Sequence, residues 1–86
     1  MDRNISRDLS FAEIAAAFSD PVHAERFPPI LTLQQAAELW QVPLDTFYQW
    51  RSRGLLDGCS CKVGKHVRLF RDRLIIQIFN KGLRHA

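Results

Sequence analysis

The stretch Thr32-Leu33-Gln34-Gln35-Ala36-Ala37-Glu38-Leu39-Trp40-Gln41-Val42-Pro43-Leu44-Asp45-Thr46-Phe47-Tyr48-Gln49-Trp50-Arg51-Ser52-Arg53-Gly54 reads as two short helices with almost nothing between them. Thr32 and Gln35 have the spacing of a capping box, in which each residue's side chain satisfies the other's backbone N–H. Leu33, Ala36, Ala37, Leu39 and Trp40 then supply the buried side. Gln41-Val42-Pro43 interrupts that helix. A second runs from about Leu44 to Arg53, anchored by Phe47 and Trp50 one turn apart, and stops at Gly54, which takes a left-handed cap most readily. So short a connection suits a helix-turn-helix.

Downstream the period changes from helical to alternating. Gly58 to Val63 and His66 to Phe70 read as two short strands around the tight turn Gly64-Lys65. On the second strand Val67 and Leu69 point one way, and His66, Arg68 and Phe70 the other. A last helix is predicted from Asp72, as its cap, to Lys81, burying Leu74, Ile75, Ile78 and Phe79 and ending at Gly82. The order helix, turn, helix, hairpin, helix predicts a mainly α fold with a small β-hairpin, a winged helix-turn-helix.

Upstream, the first nine residues are polar and irregular, and a frayed start is expected. Ser10 and Glu13 form another capping box, and Phe11, Ile14, Ala15 and Phe18 follow an amphipathic spacing. Asp20 caps and Pro21 opens a further short turn through about Phe27. Phe27-Pro28-Pro29-Ile30 must be extended, because each proline fixes its own φ and pushes its predecessor out of the helical region. The chain divides into an N-terminal helical extension with a Pro-Pro linker, residues 1–29, and the winged domain, residues 30–86.

The 86 residues, 47% apolar and 24% charged, suit one small folded core. The net charge of +3 conceals a division. Residues 1–31 carry three arginines against five acids, a net of −2, whereas residues 51–86 carry nine Lys or Arg against Asp57 and Asp72, a net of +7. Basic charge gathered at one end is the footprint expected of a phosphate-binding surface, although Lys and Arg also make ordinary solvated surface. No apolar run approaches the roughly 18 residues of a membrane span, and the N-terminus lacks a signal-peptide pattern. A cytoplasmic protein with no membrane partner is expected, with Cys59 and Cys61 as reduced thiols.

With Phe47 and Trp50 inward, a wheel of about 100° per residue puts Asp45, Tyr48, Gln49 and Ser52 on the opposite face, flanked by Thr46 and Arg53. Gln49 can pair with an adenine edge, Tyr48 and Ser52 with bases or phosphates, and Arg53 with phosphate. Arg51 falls nearer the buried side. The hairpin adds Lys62, Lys65, His66 and Arg68 as phosphate contacts, with Gly64 turning the backbone so that Lys65 projects.

Residues 31–56 also resemble the excisionase and MerR-type DNA-binding domains. Ala36-Ala37, Thr46-Phe47-Tyr48-Gln49-Trp50 and Gly54-Leu55 carry the likeness, supported by Val63-Gly64-Lys65 and Arg68 in the hairpin, and it covers about residues 30–80. The resemblance implies a recognition helix in the major groove and a wing on the backbone or the adjacent minor groove. It further implies an excisionase-like recombination directionality factor, partnered by an integrase, or a small transcription regulator. Two departures stand out. Pro43 occupies a cap position where the family commonly has serine, and Asp45 carries negative charge on the face proposed for DNA.

The alternatives weighed beside this are plainer. Trp40, Phe47, Trp50, Phe70 and Phe79 are expected in the core, with Tyr48 the exception. Cys59, Cys61 and His66 could form a three-ligand metal set, but their spacing matches no common zinc pattern, so neither metal nor cofactor is expected. No nucleophile is arranged with an acid around His23, His66 or His85, so the chain is not read as an enzyme. The helix from Phe11 to Phe18 packs either on the winged domain or against a second copy, as a homodimer or cooperative oligomer. The alternative function is a winged-helix interaction module, for dimerisation or as an adaptor, without DNA binding.

Overall fold

A computed structural model describes residues 8–82. Five helices and a three-stranded antiparallel sheet follow in the order α1 (Phe11–Ala17), α2 (Pro21–Arg26), β1 (Ile30–Thr32), α3 (Leu33–Trp40), α4 (Leu44–Ser52), β2 (Ser60–Val63), β3 (His66–Phe70) and α5 (Arg71–Ile75). Helix α5 runs on into a π-helical turn, Ile76–Asn80.

The two capping boxes form as the spacing predicts, Ser10 with Glu13 at the start of α1 and Thr32 with Gln35 at the start of α3. Helix α4 ends in a Schellman turn, in which the Gly54 N–H donates to the Arg51 carbonyl at 3.0 Å and the Leu55 N–H to the Trp50 carbonyl at 2.9 Å. Gly54 accepts the required left-handed backbone, φ 77°. Helix α3 closes with the same pair of bonds, Gln41 N–H to Glu38 and Val42 N–H to Ala37, but here Gln41 holds φ 57°. A side chain in that conformation costs roughly 1 kcal/mol, and Gln41 is exposed, so little is lost by removing it. Gln41→Gly should therefore raise stability by about 0.5–1 kcal/mol. A urea midpoint unchanged or lowered would refute this.

The sheet is larger than the expected hairpin. Ile30, expected only as the end of an extended linker, joins Leu31 and Thr32 in a strand that pairs with β3 in the register Ile30 with Phe70, Leu31 with Leu69 and Thr32 with Arg68. The strand order is β1-β3-β2, which makes β3 central. Leu31 and Leu69, opposed on the inner face, are fully buried and join Leu33, Ala36, Phe47, Leu56 and Leu74 in one core.

Helix α1 packs against α5 within the chain, with Ile14 and Ile75 both buried. Of the other apolar positions on α1, Phe18 is half-buried, and Phe11 and Ala15 are exposed. The expectation of a frayed start fails at Leu9, whose N–H donates to Asn80 Oδ1 at 2.8 Å while Asn80 Nδ2 donates to the Leu9 carbonyl at 3.0 Å. Residues 1–7 of that segment lie outside the described residues, as do residues 83–86.

Other expectations are corrected. Asp20 sits at the N-cap of α2 without a capping bond, because its carboxylate meets His23 Nδ1 at 3.0 Å. Asp72 does not cap the last helix, which starts one residue earlier; its Oδ1 instead accepts from Arg71 Nε at 2.9 Å. Phe70 is exposed rather than core, since strand alternation turns it away from the side that buries Leu69. Phe79 is exposed as well: in the π-helical turn Ile78 reaches the core and Phe79 faces outward.

Candidate nucleic-acid interface

Helix α4 is fixed by one side. Phe47 is wholly enclosed, and its ring meets that of Trp50 with centroids 4.9 Å apart, tilted by 58°. The rest of the helix is thereby turned outward. Asp45, Tyr48, Gln49, Ser52 and Arg53 are exposed and Thr46 is half-buried, which is the division the helical wheel predicts. Arg51 differs from expectation in being exposed too, so α4 presents two guanidinium groups near its C-terminus. Among the described residues no hydrogen bond or ion pair occupies the side chains of Asp45, Tyr48, Gln49 or Arg53. Ser52 Oγ donates to the Gln49 carbonyl at 3.1 Å, which leaves it as an acceptor.

The basic residues of the hairpin do not form a single patch. Lys62 opposes Val67, Cys61 opposes Arg68 and Val63 opposes His66. Residues directly opposite one another share a face, and so do alternate residues of one strand. Lys62 thus lies on the side of Val67 and Leu69, the side that carries the core and α4. His66 and Arg68 lie on the opposite side with Cys61 and Val63. Lys65 sits in the two-residue turn between the strands, where Gly64 takes φ 63°. Arg68 is half-buried and spends one donor on the Val67 carbonyl, at 2.9 Å. This division was available in the sequence, because a two-residue turn fixes the register of a hairpin.

No family model, curated protein or solved structure matches the chain.

The two thiols have different surroundings. Cys59 is buried, and its Sγ donates to the Leu56 carbonyl at 3.2 Å, whereas Cys61 is exposed. Among the described residues no group of three or more His, Cys, Asp or Glu is placed to hold a metal ion. Desolvation, reinforced by Asp57 and opposed by Arg73, pushes the Cys59 thiol up from 9.0 to about 11. The folded state therefore holds this proton more tightly than the unfolded chain does. Its stabilising effect is fully present below pH 9 and is lost as pH rises toward 11. The stability advantage of the native chain over Cys59→Ala should shrink across that window in urea titrations, and a constant difference would contradict it. Iodoacetamide at neutral pH should modify Cys61 first, since Cys61 is exposed while burial both hides Cys59 and holds it as the thiol.

Among the described residues no helix is long and apolar enough to cross a membrane.

Proposed function

We propose that this chain is a winged helix-turn-helix protein that binds duplex DNA, with α4 as its recognition helix in the major groove. The observation that carries the reading is the outward row Asp45, Tyr48, Gln49, Ser52 and Arg53, which among the described residues has no side-chain partner beyond the Ser52 back-bond. It stands on a helix locked in place by Phe47. A rigid helix with unspent polar groups is what base-edge readout needs, because donors and acceptors must meet the groove without reorganising. Lys62 on the same side of the sheet and Lys65 at the hairpin tip add phosphate contacts. Arg51 and Arg53 add others at the end of α4.

In this arrangement Gln49 reads a base, the lysines hold register, and the protein acts by occupying and bending its site. That suits an excisionase-like recombination directionality factor, with an integrase as partner, or a small transcription regulator. Asp45 fits if it accepts from a cytosine amino group, since the carboxylate would otherwise oppose phosphate.

Titration with random duplex DNA at about 50 and about 200 mM salt tests the proposal, because each phosphate contact contributes about −0.9 to the slope of log K against log salt. Binding that weakens steeply with salt is expected. Lys62→Ala with Lys65→Ala should flatten the slope by about one unit per lost contact. No binding at either salt would sink the proposal. Gln49→Ala should instead leave random-duplex affinity nearly intact and relax one position of a selected site by about 1–3 kcal/mol of discrimination. Selection from randomised duplexes reads that directly, and an unaltered preference would remove Gln49 from the readout.

A further inference from the structure

The face of the sheet turned away from the core carries a cleft of about 310 Å³. Ile30 on β1 and Phe70 on β3, directly opposed in the pairing register, form one wall, and Cys61 on β2 extends it. Both side chains are open to solvent, Ile30 51% and Phe70 43% exposed. At the margin stand Arg68 and Arg73. Each donates once to a carbonyl, Arg68 to Val67 at 2.9 Å and Arg73 to Gly58 at 3.2 Å. A guanidinium has five N–H donors, so most remain unspent. Among the described residues the carboxylates in ion pairs belong to Asp20 and Asp72, and neither meets these two arginines.

We propose that this cleft docks a short peptide segment of another protein, one in which an acidic residue is flanked by apolar side chains. The apolar wall offers Ile30 and Phe70 as a surface for apolar side chains to cover. The arginines supply the paired, charge-assisted bonds that a carboxylate accepts. A nucleic-acid strand is the poorer fit, because a phosphate backbone would gain nothing from covering Ile30 and Phe70. Two cations are also few beside the roughly 6–10 phosphate contacts of a typical DNA-binding surface. The cleft lies on the opposite side of the sheet from α4 and Lys62, so it is open whatever α4 holds. The proposal therefore stands apart from DNA binding and is tested without DNA.

A phage library of randomised short peptides is panned on the immobilised full chain and counter-panned on Arg68→Glu/Arg73→Glu. Winners are then synthesised and titrated into isotope-labelled protein. Enriched peptides should share an acidic residue beside apolar ones and shift the amides of Ile30, Cys61, Phe70 and Arg73. They should bind Arg68→Gln or Arg73→Gln about tenfold more weakly, as expected for loss of a charged hydrogen bond. Phe70→Ser, at an exposed position, gives a second variant should charge reversal disturb folding, and it should weaken binding likewise. No enrichment over the counter-selection would overturn the proposal. So would winners without an acidic residue, amide shifts confined to other surfaces, equally tight binding of oligothymidylate at the same amides, or covering of those amides by self-association in the free protein.

Discussion

Phe47→Ala is expected to remove about 3–5 kcal/mol of folding stability, because it deletes a fully enclosed ring and leaves a cavity that close-packed neighbours can only partly fill. A domain of this size has roughly 4–13 kcal/mol in total, so the loss takes a large share of it and, at the low end of that range, leaves the variant partly unfolded at room temperature. The ring also sets the orientation of α4, through the core on one side and Trp50 at 4.9 Å on the other. Loss of stability and loss of the proposed DNA binding should therefore arrive together in Phe47→Ala. Gln49→Ala, on the outward side, should separate them. Urea denaturation followed by circular dichroism is the measurement, and a loss below about 1 kcal/mol would mean that the core does not depend on this ring.

Arg71→Ala should cost about 2–4 kcal/mol, less than the full penalty for breaking a buried ion pair because the Asp72 carboxylate keeps partial access to water. Arg71 is 7% exposed, and its guanidinium serves three partners at once. It donates from Nη1 to the Phe27 carbonyl at 2.7 Å and from Nε to Asp72 at 2.9 Å, and it lies 3.9 Å from the centre of the Phe18 ring. Its backbone N–H also donates to the Pro29 carbonyl at 2.8 Å. All but the Asp72 contact reach the segment before β1, so Arg71 ties the acidic N-terminal helices to the basic part of the chain. Proteolysis within residues 18–29 should accelerate in Arg71→Ala more than global stability alone accounts for, through local opening. Arg71→Lys should rescue little, because an ammonium cannot fork between a carbonyl and a carboxylate while stacking on a ring. Equal protease sensitivity in the two chains at matched stability would contradict this role.

The parts legible in the sequence are those whose signals are local. Ser10 with Glu13 and Thr32 with Gln35 announce helix starts within four residues, Gly54 announces an end, and Gly64 sets a turn. The outward face of α4 follows from Phe47 and Trp50 by geometry alone. What escaped needed partners distant in the chain. Strand β1 has three residues, too few for alternation to show, and its identity depends on pairing with β3. An arginine next to an aspartate reads as solvated surface, and only the folded chain brings Phe18 and Phe27 to Arg71. Helical or strand spacing of aromatic residues predicts Phe70 and Phe79 in the core, yet pleat and π-helical turn direct them outward. The cleft escaped for the same reason, since its walls and its arginines belong to different elements.

The position of β3 between its two neighbours has a consequence for how the chain emerges from the ribosome. β1 is synthesised before α3 and α4, while β3, the strand it pairs with, comes after both. Until Phe70 is translated, Ile30-Leu31-Thr32 remains an apolar segment with unsatisfied backbone groups, the kind of edge on which nascent chains stick to one another. The prolines immediately before it, Pro28 and Pro29, cannot donate to a passing strand, and they shorten the edge on offer during that interval.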